Sequence, residues 1–240
     1  MVQLFFGLGV ISMLIMLALT QSRGAWLGSG VGLLVLANLR WQRLRIITAV
    51  LMLAMLLLAV AVPEQRVRWV ESLSSGGSIS GSAERIEIWT HASYMIQDFS
   101  FTGVGMGNFH QVNELFYPLY IAPVDAPHAH NLYLQLAVDL GIPGFLAWFG
   151  IFLHSAYSAI QGYRRAVSGQ MRALSAGLIA GQVALAVHGL TDAAVWGVMR
   201  TAIIVWLVWG LANAIRNCDT IDKHSIGASL HTPAQAPQGI

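Results

Sequence analysis

Two histidines stand at the edge of an apolar run. In DAPHAHNLYLQLAVDLGIPGFLAWFG, residues 125–150, His128 and His130 precede a stretch, 131–140, without Pro or Gly, and GIPG at 141–144 closes it. That pattern predicts a helix beginning just after His130 and stopping at the glycines, where the chain turns into the next span. An imidazole at a helix start titrates near neutrality, so His130 can take a proton from an attacking hydroxyl. As a single residue it more often serves as a capping or interfacial histidine without chemistry. Extended backbone would put His128 and His130 on one face, so a zinc reading also stands. It needs a third ligand, for which Asp125 is near in sequence and His110 or Asp192 could be near in space. The tight spacing of known zinc sites is missing, and the reading carried forward has no metal and no cofactor.

The arginines supply the complementary charge. Arg23, in TQSRGAWLG, sits between two apolar runs, where a guanidinium needs either lipid phosphates or an anionic partner inside the bundle. Its planar fork donates paired hydrogen bonds, which suits a diphosphate. Arg85 opens the segment ERIEIWTHASYMIQDF, and a helix N-terminus there would add backbone donors for the same anion. Together, Arg23, Arg85 and His130 would hold a diphosphate leaving group and activate a hydroxyl, the requirements for transfer from a lipid diphosphate. Asp192, in HGLTDAAVWGVMR, is available to orient His130 or to pair with an arginine. His188 and Arg200 flank that turn without an assigned role, His188 being expected to pack inside the outer end of a span.

These residues must be positioned by membrane helices. The chain is 56% hydrophobic and only 10% charged over 240 residues, with a mean hydropathy of +0.62, too apolar for an ordinary soluble domain. A net charge of +2 with scattered basic residues gives no nucleic-acid footprint. The single cysteine, Cys218, excludes an internal disulfide and a cysteine-based metal knot. A helix crossing ~30 Å of hydrocarbon needs roughly 17–25 mostly apolar residues. Spans are expected at 4–19, 25–39, 46–62, 144–160, 173–190 and 201–215. The fold class is therefore all-α, a polytopic membrane protein of about six helices with one large, partly helical outer loop. Its expected parts are 1–62 with three spans, the loop 63–130, 131–216 with the motif helix and three further spans, and a disordered tail, 217–240.

Orientation follows from Lys and Arg, which collect in short cytoplasmic loops. Arg40, Arg43 and Arg45, then Arg164, Arg165 and Arg172, then Arg216 and Lys223 fall on one side under strict alternation. Both ends are then inside and the loop 63–130 outside. Arg23, Arg66, Arg68, Arg85 and Arg200 oppose that bias. The outer loop opens with SLSSGGSISGS, a flexible composition. A helix follows, with Ser82 as a cap, Glu84 in its first turn and Ile86, Trp89 and Ile96 at helical spacing, and the Gly-rich turn FTGVGMGNF comes next. Gly177 and Gly181 form a small-xxx-small step suited to helix packing, and Trp26, Trp69, Trp196 and Trp206 suit interfacial belts.

At these residues the chain resembles the O-antigen ligase and polymerase superfamily of bacterial inner-membrane glycan transferases. His130 and Asn131, followed after nine residues by Gly141 and after two more by Gly144, match the family's histidine signature. Arg23 with Leu27 looks like its arginine element at the outer end of a span, and ERIEIWTHASYMIQDFSFTGVGMGNF is similar to its outer-loop segment. The resemblance, to the C-terminal portion of such ligases, implies a metal-independent, inverting transfer at the periplasmic face of the inner membrane. The donor would be an undecaprenyl-diphosphate glycan and the acceptor a hydroxyl of the lipid A core. Carried over, His130 would be catalytic, Arg23 and Arg85 would bind the diphosphate, and Asn131, Asp192, Gly141 and Gly144 would support them. A glycan polymerase and a protein O-oligosaccharyltransferase would use the same donor. Family members are usually longer, which implies an N-terminal half as a further partner beside membrane lipids; a fragment that binds lipid-linked glycan without reacting is the reading from another class.

Overall fold

The computed structural model describes residues 2–41, 43–50, 82–119, 126–193, 195–196 and 202–230. They form α1 (Val2–Leu19), α2 (Arg23–Arg40), α3 (Ser82–Asp98), α4 (Phe109–Phe116), α5 (Leu132–Arg165), α6 (Gly169–His188) and α7 (Ala202–Leu230). Among the described residues no strand occurs, in line with the all-α expectation. By length and composition α5 and α6 are long and apolar enough to cross a bilayer, while Leu4–Leu19 and Ala202–Arg216 are shorter apolar stretches. The span expected at 46–62 lies mostly outside the described residues, as do the Ser/Gly stretch 72–81, Arg66, Arg68, Trp69, Asp125 and Arg200. The backbone of α7 stays helical to Leu230, into the segment expected as a disordered tail.

Helix α2 lies antiparallel on α6, and glycine makes the contact. A side chain at Gly28 or Gly32 would run into the carbonyl oxygens of Ala184 and Ala180, at 2.6 and 2.8 Å from an added Cβ, and one at Gly24 would strike Thr191. Small residues at every fourth position let two backbones approach closely. The same role was expected of Gly177 and Gly181, and the structure corrects that: an added Cβ at either meets nothing within 4 Å. Small residues mark where close packing is allowed, and the partner decides where it happens.

The ends of the bundle are tied separately. Tyr163 on α5 donates to the carbonyl of Leu39 at 2.9 Å, gathering Arg40, Arg164, Arg165 and the start of α6 at one end. Arg23 and the turn after His188 mark the other, since Gly24 packs on Thr191 and His188. The 18 residues of α2 separate the two by roughly 27 Å. Between them, Trp148, Trp209, Leu132 and Leu136 form the core where α5 meets α7, and Ser158 donates to Asn213 at 2.7 Å.

Helix α5 bends where the sequence predicts a stop. Gly141 has φ +67 and ψ 176, outside the helical range, and the helix resumes beyond it through Pro143 to Arg165. The kink is locked by a loop rather than left open. Gly103, at φ +65, lies so close that a Cβ on it would come within 2.5 Å of the Gly141 nitrogen, and one on Gly141 within 2.5 Å of the Phe101 oxygen. Val104 N–H donates to Val138 O, Gly105 N–H to Asp139 O and Ile142 N–H to Ser100 O, at 2.7–3.0 Å. The kink's freed carbonyls thus find donors in the Gly-rich turn, as buried backbone groups must. Residues 142–165 beyond it, roughly 36 Å of helix, suffice to cross a bilayer.

Outside this kink, α3 packs on the first half of α5 through Ile88, Ala92 and Met95, which share a core with Phe109, Ala129 and Val138. Trp89 and Ile96 flank that stripe, but Ile86 is 60% exposed, so the apolar face is turned from the one its spacing with Trp89 suggests. Helix α4 had no expected counterpart; its buried Phe109 is what seats it.

Gly141→Ala is expected to lower the thermal midpoint of the detergent-purified protein, because it adds left-handed strain of about 1–3 kcal/mol and a backbone clash. Gly30→Ala, where an added Cβ meets open space, should leave it unchanged or slightly raised. Equal midpoints for the two variants would contradict the locked kink.

Candidate active site

The site is built where the start of α5 meets the end of α6. Asn131 caps α5, its Oδ1 accepting from the N–H groups of Tyr133 and Leu134 at 3.0 and 3.1 Å. Its Nδ2 donates to Leu190 O at 3.1 Å, Leu132 N–H donates to Gly189 O at 2.7 Å, and the Tyr133 hydroxyl donates to Ala186 O at 2.8 Å. Three bonds therefore fasten the first turn of α5 to the 186–190 corner. Asn131 acts on its neighbours' backbone, a supporting part.

The peptide just before His130 is held from both sides. Ala129 N–H donates to Gln135 Oε1 at 2.7 Å, and the Trp89 indole donates to Ala129 O at 2.9 Å. Gln135 Nε2 donates in turn to Asp139 Oδ1 at 2.8 Å, and Trp196 Nε1 to Asp139 Oδ2 at 2.9 Å. Gln135 and Asp139 are both buried, so this chain is satisfied internally, the condition under which buried polar groups rigidify a structure. Sequence reading passed over it. A Gln and an Asp four apart within an otherwise apolar run were the available signal, because such residues are seldom buried without a purpose.

His130 itself adopts φ +47, a left-handed conformation rare for a residue with a side chain and costing about 1–3 kcal/mol. Fixed on one side by Ala129 and on the other by the Asn131 cap, the backbone has little alternative. His130 N–H donates to His128 Nδ1 at 3.1 Å, and the two rings stand 4.2 Å apart. That bond makes Nδ1 of neutral His128 the acceptor and puts its proton on Nε2, which lies 3.9 Å from Asp192 Oδ1.

Charge gathers round this pair. Arg85 reaches across from α3 and donates to Thr191 O at 3.2 Å. Burial pushes the His130 imidazole down to about 4, with His128 and Arg85 adding to the fall and Asp192 opposing it. Burial likewise lowers His128, against the pull of Asp192 and with a further push from Arg85. Both rings are then neutral near pH 7, and a neutral imidazole is the form that accepts a proton. His188, at the end of α6, comes within 4.0 Å of Asp192 Oδ2. Asp192 thus sits between two histidines, both beyond direct hydrogen-bond reach.

Of the residues expected at the site, His130, Asn131, Arg85 and Asp192 come together. Gly141 lies in the kink, and Gly144 lies in the following turn against Leu140. Arg23 opens α2 at the same end of the bundle, its side chain exposed. His110 instead pairs with Glu114 within α4, at 3.5 Å. The third ligand that a metal would require is present: ligand atoms of His128, His130 and Asp192 all lie within 4.8 Å of one another. Arg85 lowers both histidines and would repel a dication, while Asp192 raises both and would attract one.

The sequence model of the O-antigen ligase family matches residues 8–149. The matched region holds most of α1, all of α2 to α4 and the first half of α5, including Arg23, Arg85, His130 and the kink, while the Asp192 corner follows it. No curated protein matches the chain.

Titration of the His130 ring followed by NMR should give a midpoint near 4, and Arg85→Gln should raise it toward the ordinary 6.5 by removing a cation that opposes protonation. A midpoint near 6.5 in the unaltered protein, or no upward move in the variant, would contradict this electrostatic picture.

Proposed function

The chain belongs to the O-antigen ligase family, and from that premise we propose that it joins a glycan from a polyprenyl-diphosphate donor to a hydroxyl of the lipid A core, with His130 as base. The family is membrane-embedded and joins glycans. The observation that supports this assignment most directly is the neutral His130, constrained at φ +47 beside an arginine anchored on Thr191.

In the proposed step the acceptor hydroxyl attacks the anomeric carbon of the donor sugar from the face opposite the diphosphate. The new C–O bond forms as the bond to the phosphate oxygen breaks. The hydroxyl proton passes to His130, and the bonding electron pair leaves with the diphosphate, giving inversion. Arg85 and Arg23 hold the departing anion, whose charge they stabilise most as it develops. A diphosphate leaves readily without a general acid. With cationic arginines at the leaving group, the reaction proceeds without a metal.

The multi-pass arrangement belongs to the same reading. Arg40, Arg164, Arg165 and Arg172 collect at the end opposite His130, which under the positive-inside rule makes that end cytoplasmic and the histidine end periplasmic. Nearly all the apolar residues of α1 are exposed, from Leu14 at 50% to Phe5 at 75%, as suits a helix facing lipid or further spans.

Glycan transfer by the purified chain in liposomes, supplied with undecaprenyl-diphosphate glycan and lipid A core, tests the assignment. Core-attached product is expected, unchanged by EDTA and reduced at least tenfold by Arg85→Gln. Lengthened lipid-linked glycan without core product would replace ligation by polymerisation, and suppression by EDTA would overturn the metal-free step.

A further inference from the structure

At the end of the bundle remote from the histidines, α2, α5 and α6 border a cavity of about 1080 Å³. Its walls are leucines of α2 and small residues of α6, Gly177 among them, and its rim carries Arg40, Arg45 and Arg172 with Trp41 and Tyr163. No Asp or Glu lines it among the described residues. Arg45 donates through Nε to Asn38 O at 2.8 Å, and Arg172 through a terminal nitrogen to Ala166 O at 3.4 Å. A guanidinium carries five N–H donors, so one carbonyl steadies each and leaves capacity for an anion. Gly169, at the N-terminus of the 20-residue α6, also borders the space and brings the positive end of that helix to it.

We propose that this cavity is a binding site for an anionic phospholipid, its acyl chains along the α2–α6 walls and its phosphate on Arg40, Arg45 and Arg172. Three cations on a rim without a carboxylate among the described residues call for an anion, and apolar walls call for an apolar body. A free phosphate meets only the first demand. Trp41 and Tyr163 are amphipathic rings of the kind that stand at the headgroup level, and a basic pocket between apolar helices fits a lipid headgroup. The site is independent of glycan transfer, roughly 27 Å along α2 from Arg23.

Native mass spectrometry of the full chain, offered phosphatidylglycerol or phosphatidylcholine of the same chain length, measures the preference. Phosphatidylglycerol should be retained roughly tenfold or more over phosphatidylcholine. Replacing Arg40, Arg45 and Arg172 together by Gln should erase that preference. Gly177→Phe keeps all three arginines and projects a ring into open space, so it should fold normally yet retain far less phosphatidylglycerol. Should the triple variant fail to fold, Gly177→Phe decides. Equal retention of the two lipids overturns the proposal, as does undiminished retention in the folded triple variant. Undiminished retention in Gly177→Phe would mean that the cavity holds no acyl chain. Displacement by millimolar inorganic phosphate would mark a soluble-anion site and overturn the lipid assignment.

Discussion

Two glycines in backbone contact carry much of this structure. Gly103 and Gly141 approach so closely that neither tolerates a side chain, and both occupy left-handed backbone, where glycine alone is unstrained. Their contact fastens the Gly-rich turn after α3 to the bend in α5, so one helix serves two purposes. Its first turns, before the bend, form a short, largely buried rod against α3, and the remainder is long enough to span a membrane. Without the bend the histidine turn would not be held beside α3 and the corner after α6.

From that bend the positional information runs back along α5. Asp139, whose carbonyl accepts from Gly105, also receives the Trp196 indole and the Gln135 amide through its side chain. Gln135 fixes the peptide of Ala129, and Ala129 precedes His130. The two Gln135 links are buried and every link is paired, so the chain transmits position with little slack. The strained φ of His130 is sustained by this chain and by the Asn131 cap. A side chain carried on backbone that is already fixed loses less entropy on meeting a ligand.

Much of this was legible in the sequence, and the limits are physical. Helices at both ends of the chain and the break at GIPG follow from hydropathy and from glycine and proline chemistry. So does His130 at a helix start, since its signature is local. Arg85 and Asp192, far apart in sequence, were singled out as chemical types, but only the fold brings them to one corner. Periodicity misjudged α3 because Ile86 and Ile88 are equally apolar, and the packed face is chosen by α5. Gly28 and Gly32 were as visible as Gly177 and Gly181, yet which pair meets a neighbour depends on tertiary contacts. The buried Asp139 chain stayed hidden because an acid in an apolar run does not announce its partners.

If His130 performs chemistry rather than binding or folding, donor affinity and transfer separate when its imidazole is removed. Donor affinity and single-turnover transfer would be measured on the same preparation of His130→Ala. Affinity within about threefold of the unaltered protein, with transfer down by a factor of roughly a hundred or more, is the predicted result for a lost general base. Parallel loss of affinity and transfer in a folded variant would contradict it and make His130 part of the binding surface.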